Sequence, residues 1–207
     1  MLARVHSAAI YGVDAYPVLV EVDVSRSGKF SMTIVGLPDA AVRESCERVQ
    51  AAIRNSGFEF PMERITVNLA PADIRKEGPA FDLPIALGII LATGQAAVDD
   101  VLDTVAVTGE LSLDGLLRPV AGVLPMAIGA RNDGRAAIIV PPGNGNEAAV
   151  VDDIDVYTAE SLYDCVRLLE NHLAATPVKL PPEELDLEVA PYRLDMSDVR
   201  GQDQIKR

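Results

Sequence analysis

A helix without a polar face is the feature that most constrains what this chain can fold into. It is predicted from Asp82 onward, where Pro84 falls in the first turn and its missing N–H costs little. The residues that follow are apolar in every direction around the helix axis, so the helix has to be central and buried. We expect Asp82 to cap its N-terminus.

The turn before this helix, residues 75–81, reads RKEGPAF. Many proteins hold a nucleophile or an anion at a helix N-terminus that follows such a turn. Pro79, Ala80 and Phe81 stand where a nucleophile is expected, and none of them is one. The segment is therefore an active site, a former active site or a well-capped core helix.

Composition permits a large core and limits the function. With 207 residues, 49% of them hydrophobic and 4% aromatic, the chain can build its core from Val, Ile, Leu and Ala. The formal charge of −13 argues against a nucleic-acid grip over the whole chain. Residues 1–140 carry 17 acidic and 12 basic side chains and residues 141–207 carry 14 and 6, so only the first part has room for a basic face.

Cysteine and histidine usage indicates the compartment and excludes one kind of metal site. Cys46 and Cys165 are far apart in the sequence and lack CxxC spacing, which is typical of reduced, buried thiols in a cytosolic protein. His6 and His172 are the only histidines, so a His-rich metal site is excluded. The chain shows no leader and no apolar run long enough to span a bilayer, and we expect a soluble, cytoplasmic protein.

The first third of the chain is predicted to be strands. Residues 3–12, 16–25 and 29–36 are β-branched segments separated by short turns, and their simplest arrangement is a three-stranded meander. Alternating valines at 18–24 predict one buried and one solvent-exposed face along part of the second strand. Residues 64–71 are predicted to be a fourth strand.

A helix is predicted at about residues 39–55, where Pro-Asp supplies the start and Asn-Ser-Gly the stop. Two i,i+4 pairs of opposite charge, Arg43–Glu47 and Glu44–Arg48, are expected on its wet side. The predicted apolar stripe consists of Val42, Cys46, Val49 and Ile53.

Further elements are predicted after the central helix. They are a hairpin at 104–115, a helix interrupted by Pro125 at 121–134, strands at 136–140 and 153–159, and a helix at 160–173. From Ala174 the chain is rich in Pro and acidic residues, which predicts a linker or a partly ordered tail.

Common ligand motifs are absent or weak. The chain has no Gly-rich loop with a trailing Lys-Ser/Thr, so it cannot hold a nucleotide in P-loop fashion. The GNGNE segment at 143–147 is predicted to be an exposed loop, and Asp99, Asp100 and Asp103 a solvated acidic cluster. Six basic residues are predicted to be solvated surface rather than one basic face: Arg43, Arg48, Arg54, Arg64, Arg75 and Lys76.

Two segments on either side of the central helix resemble the signature segments of Lon-type protease domains. In those domains a nucleophilic Ser follows Gly-Pro at the start of this helix, and a general-base Lys follows a T-G-E segment. Gly78-Pro79 match the first signature, and its Ser position is Ala80. The Lys position of the second is Leu124. The residues that match the second signature are Thr108, Gly109, Glu110, Leu113, Gly115, Pro119 and Gly122.

This resemblance implies the scaffold of a Ser-Lys site without its chemistry. Ala80 cannot attack a carbonyl, and Leu124 cannot accept a proton. A pair displaced to Ser112 and Lys76 is the alternative that would retain peptidase activity, although neither residue is at a dyad position. We interpret the segment as a retired active site that is kept as structural core.

Nearly the whole chain resembles the N-terminal domain of the YifB/ComM group of magnesium-chelatase-like AAA+ ATPases. The segments IVGLPDAAVRESCERVQAAIRNSG and ITVNLAPADIRKEG, followed by FDLPIALGI, carry the resemblance. The group's usual G-G-R is Gly78-Pro79-Ala80 here, so Ala80 stands at the position of that Arg. The final DMSDVRGQDQIKR resembles the start of an AAA+ module, which implies an adenine-side role for Val199, Gly201 and Gln202.

The resemblance implies an α+β fold, the Lon-protease-like variant of the ribosomal-protein domain-2-like fold, with a mixed sheet packed against helices. It places the N-terminal domain at 1–172, a linker at 173–194 and the start of the AAA+ module at 195–207. The full-length protein is expected to use ATP and Mg²⁺, to form a homo-hexamer and to promote branch migration of DNA during competence. No cofactor is expected in this part. The alternatives are a peptidase with displaced residues and a chelatase-associated subunit.

Overall fold

The computed structural model describes residues 1–25, 29–98 and 100–180, and its centre is one mixed sheet. The α-helices within these residues are α1 (Ala40–Asn55), α2 (Asp82–Ala92), α3 (Val123–Asn132), α4 (Gly145–Ala148) and α5 (Leu162–Glu170). The strands are β1 (Leu2–Tyr11), β2 (Asp14–Ser25), β3 (Ser31–Val35), β4 (Arg64–Ala70), β5 (Val105–Val107), β6 (Glu110–Leu111), β7 (Leu117–Arg118), β8 (Ala137–Val140) and β9 (Asp155–Thr158).

The main sheet has seven strands in the order β3-β4-β2-β1-β5-β8-β9. β1 and β2 form the expected antiparallel hairpin. The predicted meander is wrong, because β4 rather than β3 is the second neighbour of β2. β3 pairs in parallel with β4, and such a pair needs a crossover, which α1 supplies.

The predicted hairpin at 104–115 is also wrong in its extent. β5 joins the main sheet between β1 and β8, parallel to both. The hairpin consists of β6 and β7, which are two residues each and form a separate ribbon. All three side chains of β5 are buried. The strand therefore lacks the alternation of apolar and polar residues that is typical of a hairpin with one face exposed to solvent.

Each face of the sheet carries its own apolar core. The first core contains α1, α2 and α5, and the residues of α2 from Asp82 to Ile90 are all buried, which confirms the predicted central helix. The second core lies under α3 on the opposite face. Neighbouring residues of one strand contribute to both cores, since Ile139 belongs to the first core and Ile138 to the second.

The helix predictions are confirmed with corrections. Asp39 caps α1 through a 2.8 Å hydrogen bond from the Val42 N–H, but Cys46 is only half-buried and Ser45 takes the buried place in the stripe. Pro125 lies in the first turn of α3 and does not interrupt it, because a first-turn N–H has no partner to lose. Strands β8 and β9 and helix α5 lie where they are predicted.

The chain beyond residue 180 lies outside the described residues. Val199, Gly201 and Gln202 and the predicted start of the AAA+ module fall there, so they stay predictions, as do the proposed domain boundaries. Asp99 of the acidic cluster is likewise outside the described residues. None of the helices that the structure describes has the length and apolar character needed to cross a bilayer.

Candidate functional site

The two segments that resemble the Lon signatures are hydrogen-bonded to each other. The Gly109 N–H donates to the Ala80 carbonyl at 3.1 Å, and the Leu83 N–H donates to the Gly109 carbonyl at 3.1 Å. The Thr108 hydroxyl donates to the same Ala80 carbonyl at 3.3 Å. The T-G-E segment after β5 therefore fixes the turn that leads into α2.

Ala80 and Leu124 belong to the same apolar cluster. Ala80 lies in the 3₁₀ turn Pro79–Phe81 that precedes α2, and its side chain is buried. Leu124 lies in the first turn of α3, is half-buried and packs against the cluster that contains Ala80. Neither side chain has an atom that could attack a carbonyl or take up a proton.

Asp82 does not cap α2, contrary to the sequence prediction. It is the first residue of the helix, and the donors to its carboxylate among the described residues come from outside the helix. Arg48 of α1 donates to both carboxylate oxygens, from Nε at 2.8 Å and from Nη2 at 3.1 Å. The Leu111 N–H of β6 donates to the same carboxylate at 3.2 Å. Asp82 thus links α1, α2 and the small hairpin.

Burial and pairing act on this carboxylate in opposite directions. Burial raises the pKa of Asp82, against the lowering effects of Arg48 and of the Leu111 N–H. The hydrogen bond to Asp82 raises the pKa of Arg48, which stays charged. Among the described residues, neither predicted surface pair of α1 forms an ion pair, and Arg48 points inward instead.

A buried clamp holds the segment before α3. The Asn144 side chain accepts from the Val120 N–H and donates to the Val120 carbonyl, both at 2.9 Å. Its amide also donates to Glu147 at 3.1 Å, and Glu147 accepts from the Leu124 N–H at 3.0 Å. The predicted exposed loop at 143–147 is therefore wrong, because Asn144 and Gly145 are buried, residues 145–147 lie in α4, and Glu147 binds the Leu124 N–H.

The alternative pair of Ser112 and Lys76 is occupied elsewhere. Lys76 is fully buried, and its Nζ donates to the Pro71 carbonyl and to the Ile74 carbonyl, the latter at 2.7 Å. Burial lowers the pKa of Lys76. The Ser112 hydroxyl lies within hydrogen-bonding distance of Asp114 and, at 3.0 Å, of the Leu116 carbonyl. This arrangement favours structural roles for both residues.

The expected solvated surface of six basic residues is corrected at two positions. Lys76 is buried, and Arg48 is engaged by Asp82. Arg54 lies over the ring of Phe60, at 5.7 Å from its centroid.

Burial raises the pKa of Cys165 to about 12, so this thiol is no nucleophile at neutral pH.

A cleft of about 680 Å³ opens at the junction of the two signature segments. Its lining residues have apolar side chains apart from Asp39, Glu77 and Glu110, and none of the lining residues that the structure describes is basic. Within the described residues, no group of three or more His, Cys, Asp or Glu is arranged to hold a metal ion. The other lining residues are Ala9, Ile10, Gly12, Gly78, Pro79, Ala80, Phe81, Pro119, Val120, Ala121 and Met126.

These features define a mixed α+β domain in which a turn, a central helix and a T-G-E segment have the Lon-like arrangement. The family model described as subunit ChlI of Mg-chelatase matches residues 20–144, and the chain belongs to this family. The predicted fold class and the predicted kinship are thereby confirmed.

Named relatives agree with this assignment. The chain is 42% identical, over its whole length and 40% of the relative, to competence protein ComM of Haemophilus influenzae. It is 40% identical, over its whole length and 39% of the relative, to the uncharacterized protein YifB of Escherichia coli. Lon protease 2 of Bacillus subtilis is 27% identical over 88% of this chain and 35% of the relative. The chain thus spans about two fifths of the length of the ComM and YifB relatives.

Proposed function

We propose that this chain is the non-catalytic N-terminal accessory domain of a magnesium-chelatase-like AAA+ ATPase that remodels DNA. One observation carries the non-catalytic part: Ala80 and Leu124 share an apolar cluster where a Ser-Lys peptidase would need its nucleophile and its base. The hydrogen bonds from Thr108 and Gly109 to Ala80 support the same view, since they keep the scaffold of such a site.

The relatives support the wider role. One of them is named a competence protein, and this favours a function on DNA for the full-length protein. ATP and Mg²⁺ would be bound by the AAA+ module, with Val199, Gly201 and Gln202 on the adenine side. The assembly would be a cytoplasmic homo-hexamer in which this domain contacts its own AAA+ module and the substrate.

The charge of the chain limits how this domain can contact DNA. With a formal charge of −13 and a cleft lined by carboxylates, the chain offers little that would neutralise phosphates. We expect any DNA binding by this chain alone to be weak and to fall steeply with salt. Tight, salt-insensitive binding in a filter or anisotropy assay would contradict this.

The decisive experiment uses the full-length protein with and without residues 1–170. DNA-stimulated ATP hydrolysis and branch migration of a synthetic Holliday junction are measured side by side. We expect the truncated protein to keep ATP hydrolysis and to lose most branch migration. Unchanged branch migration would show that the domain is no accessory to this reaction. Absence of branch migration by the intact protein would refute the DNA-remodelling role.

Peptidase activity is tested with a fluorophosphonate probe on the 207-residue chain. We expect no labelling of the chain or of its Ser112→Ala variant, because the Ser112 hydroxyl faces Asp114 and the Leu116 carbonyl. Labelling that disappears in Ser112→Ala would establish a displaced nucleophile and refute the non-catalytic role.

A chelatase-associated subunit is a second candidate, because the matching family model describes a subunit of Mg-chelatase. This candidate requires binding to a large chelatase subunit. A pull-down with that purified subunit tests it, and we expect no complex if the DNA-remodelling role is right.

A further inference from the structure

We propose that the cleft at Ala80 is a docking site for an extended peptide segment of a partner protein that carries a basic side chain between small or aliphatic ones. The proposal rests on the proposed non-catalytic role only in that the docked peptide is not cleaved.

The shape and lining of the cleft suit a peptide. Its volume of about 680 Å³ lies within the ~300–1,000 Å³ range of ligand sites in proteins. The lining includes apolar side chains from β1, from the turn before α2, from the segment before α3 and from α3 itself, among them Ile10, Ala80 and Met126. Aliphatic side chains of a peptide would lose water against this lining.

The carboxylates of the cleft select a cation. Glu110 is half-buried, and its carboxylate forms no hydrogen bond or ion pair with any residue that the structure describes. Arg48 is close enough for Glu110 to raise its pKa, but the Nε and Nη2 groups of this guanidinium donate to Asp82 and not to Glu110. Asp39 is held by the Val42 and Gly78 N–H groups, and the exposed Glu77 forms an ion pair with Arg75 at 3.3 Å, so Glu110 is the carboxylate left for a cation. Charge complementarity therefore favours Lys or Arg in the occupant and disfavours nucleic acid.

The apolar surface continues beyond the cleft onto the turn between β1 and β2. Gly12 of this turn lines the cleft, and Tyr11 and Val13 on either side of it are 68% and 88% exposed. Tyr11 packs edge-to-face on Tyr16, with ring centroids 6.1 Å apart. An extended segment that leaves the cleft here would cover exposed aromatic surface, which is a common anchor in protein interfaces.

The test measures fluorescence anisotropy of labelled pentapeptides on the 207-residue chain. The probe is Leu-Ala-Arg-Ala-Leu with blocked ends, and the comparison peptide has Glu in place of Arg. We expect the Arg peptide to bind and the Glu peptide to bind at least tenfold more weakly. Equal binding of the two peptides, or no binding of the Arg peptide, would overturn the proposal.

Matched variants locate the binding. Glu110→Gln should weaken binding of the Arg peptide about threefold, since one partly exposed ion pair is lost. Glu47→Gln, an equal charge change on the exposed side of α1, should leave it unchanged. Ala121→Phe should weaken binding at least tenfold, because Ala121 is exposed and lines the cleft, so the ring fills it without disturbing the core. Equal effects of the two Gln variants, or full binding by Ala121→Phe, would overturn the assignment to the cleft.

Failure of this proposal is distinguishable from failure of the proposed function. Mass spectrometry of the peptide after incubation shows whether it is cleaved. Binding with cleavage would refute the non-catalytic role and leave the docking site standing. Absence of binding refutes the docking site and leaves the branch-migration experiment to decide the role of the domain.

Discussion

Asp82 carries a charge into the interior of the domain, and Arg48 makes this burial tolerable. The carboxylate is fully buried, while the Arg48 side chain keeps 25% exposure. Both carboxylate oxygens accept from the guanidinium, and the Leu111 N–H supplies a third donor. A buried charge that keeps its partners is stable, whereas a buried charge that loses its partner is strongly penalised.

Arg48→Met is therefore expected to cost roughly 3 kcal/mol of unfolding free energy at pH 7, more than Asp82→Asn. The Met variant leaves a charged carboxylate without its guanidinium, whereas Asn removes the charge and keeps an acceptor for Leu111. Urea unfolding of the two variants measures the difference. The reverse order would mean that the pair is not what stabilises this junction.

The Met variant should also recover stability as the pH falls. Burial raises the pKa of Asp82, and without Arg48 the pKa rises further. A carboxyl with a raised folded-state pKa favours the folded state at low pH and loses that stability as pH rises through the folded-state pKa. Relative to wild type, Arg48→Met should thus be less destabilised at pH 5 than at pH 7. Asp82→Asn should lack this recovery.

Glu21 should show the opposite dependence on pH. Hydrogen bonds from Asn68 and Arg4, at 3.0 and 3.2 Å, lower the pKa of this carboxyl. A lowered pKa contributes stability above the unfolded-state value, and this stability is lost as pH falls through the folded-state value. Glu21→Gln should cost less than about 1 kcal/mol at pH 7 and nothing at pH 3. A difference that persists at pH 3 would assign the effect to packing instead.

Among the secondary-structure elements, α2 owes its close approach to the sheet to one glycine. A Cβ at Gly88 would lie 2.4 Å from Val22 Cγ2 of β2, and Val22 is fully buried. In α3, a Cβ at Gly129 would come no closer than 3.2 Å to Ala15. Helix propensity favours Ala over Gly by ~1 kcal/mol at both positions. A difference in stability between the two Gly→Ala variants therefore reports the difference in packing.

Gly88→Ala is expected to lower the free energy of unfolding by about 1–2 kcal/mol, because overpacking outweighs the gain in propensity. Gly129→Ala should stay within ~1 kcal/mol of wild type, since its neighbour has to move by only a few tenths of an ångström. Chemical denaturation of both variants provides the measurement. A Gly88→Ala variant more stable than wild type would show that α2 can shift away from β2.

The central helix could be predicted from sequence because its signal is local. Residues 83–92 are apolar on every side of the helix, and no neighbour is needed to see that they must be buried. The partners of β3 could not be predicted, because β3 pairs with a strand that follows α1, and strand pairing across a helix leaves no mark in either strand. The pairing of β5 could not be predicted either, because its three residues are all buried and show no alternation of apolar and polar side chains.

The parts of the candidate site that belong to a sequence motif could be predicted. The Gly-Pro turn and the T-G-E segment meet at Ala80, as their resemblance implies. The role of Asp82 was misread, because an acid at a helix start is typical of a cap and its true partner, Arg48, lies 34 residues earlier. Asn144 was missed entirely, since a Gly-Asn-rich segment is typical of an exposed loop and only the fold brings it to Val120.

On the scale of the whole molecule, the two cores are joined through the strands that separate them. Ile138 and Ile139 are consecutive in β8 and point into opposite cores, and Ala8 and Ala9 of β1 do the same. If one core unfolds, the strands that line it separate. The side chains with which the same strands face the other core are then exposed to water as well. We therefore expect the described domain to unfold as one cooperative unit, with no populated intermediate in which one core is intact.

Truncation of either core tests this cooperativity. Ile89→Ala removes buried volume from α2 in the first core, and Ile138→Ala removes it from β8 in the second. Each should lower the free energy of unfolding by about 2–5 kcal/mol. In both variants, far-ultraviolet circular dichroism and tyrosine fluorescence, which reports on Tyr157 of the first core among other tyrosines, should give coincident urea transitions. Separate transitions in either variant would show that the faces of the sheet unfold independently, because a strand that still packs on one core would then survive the loss of the other.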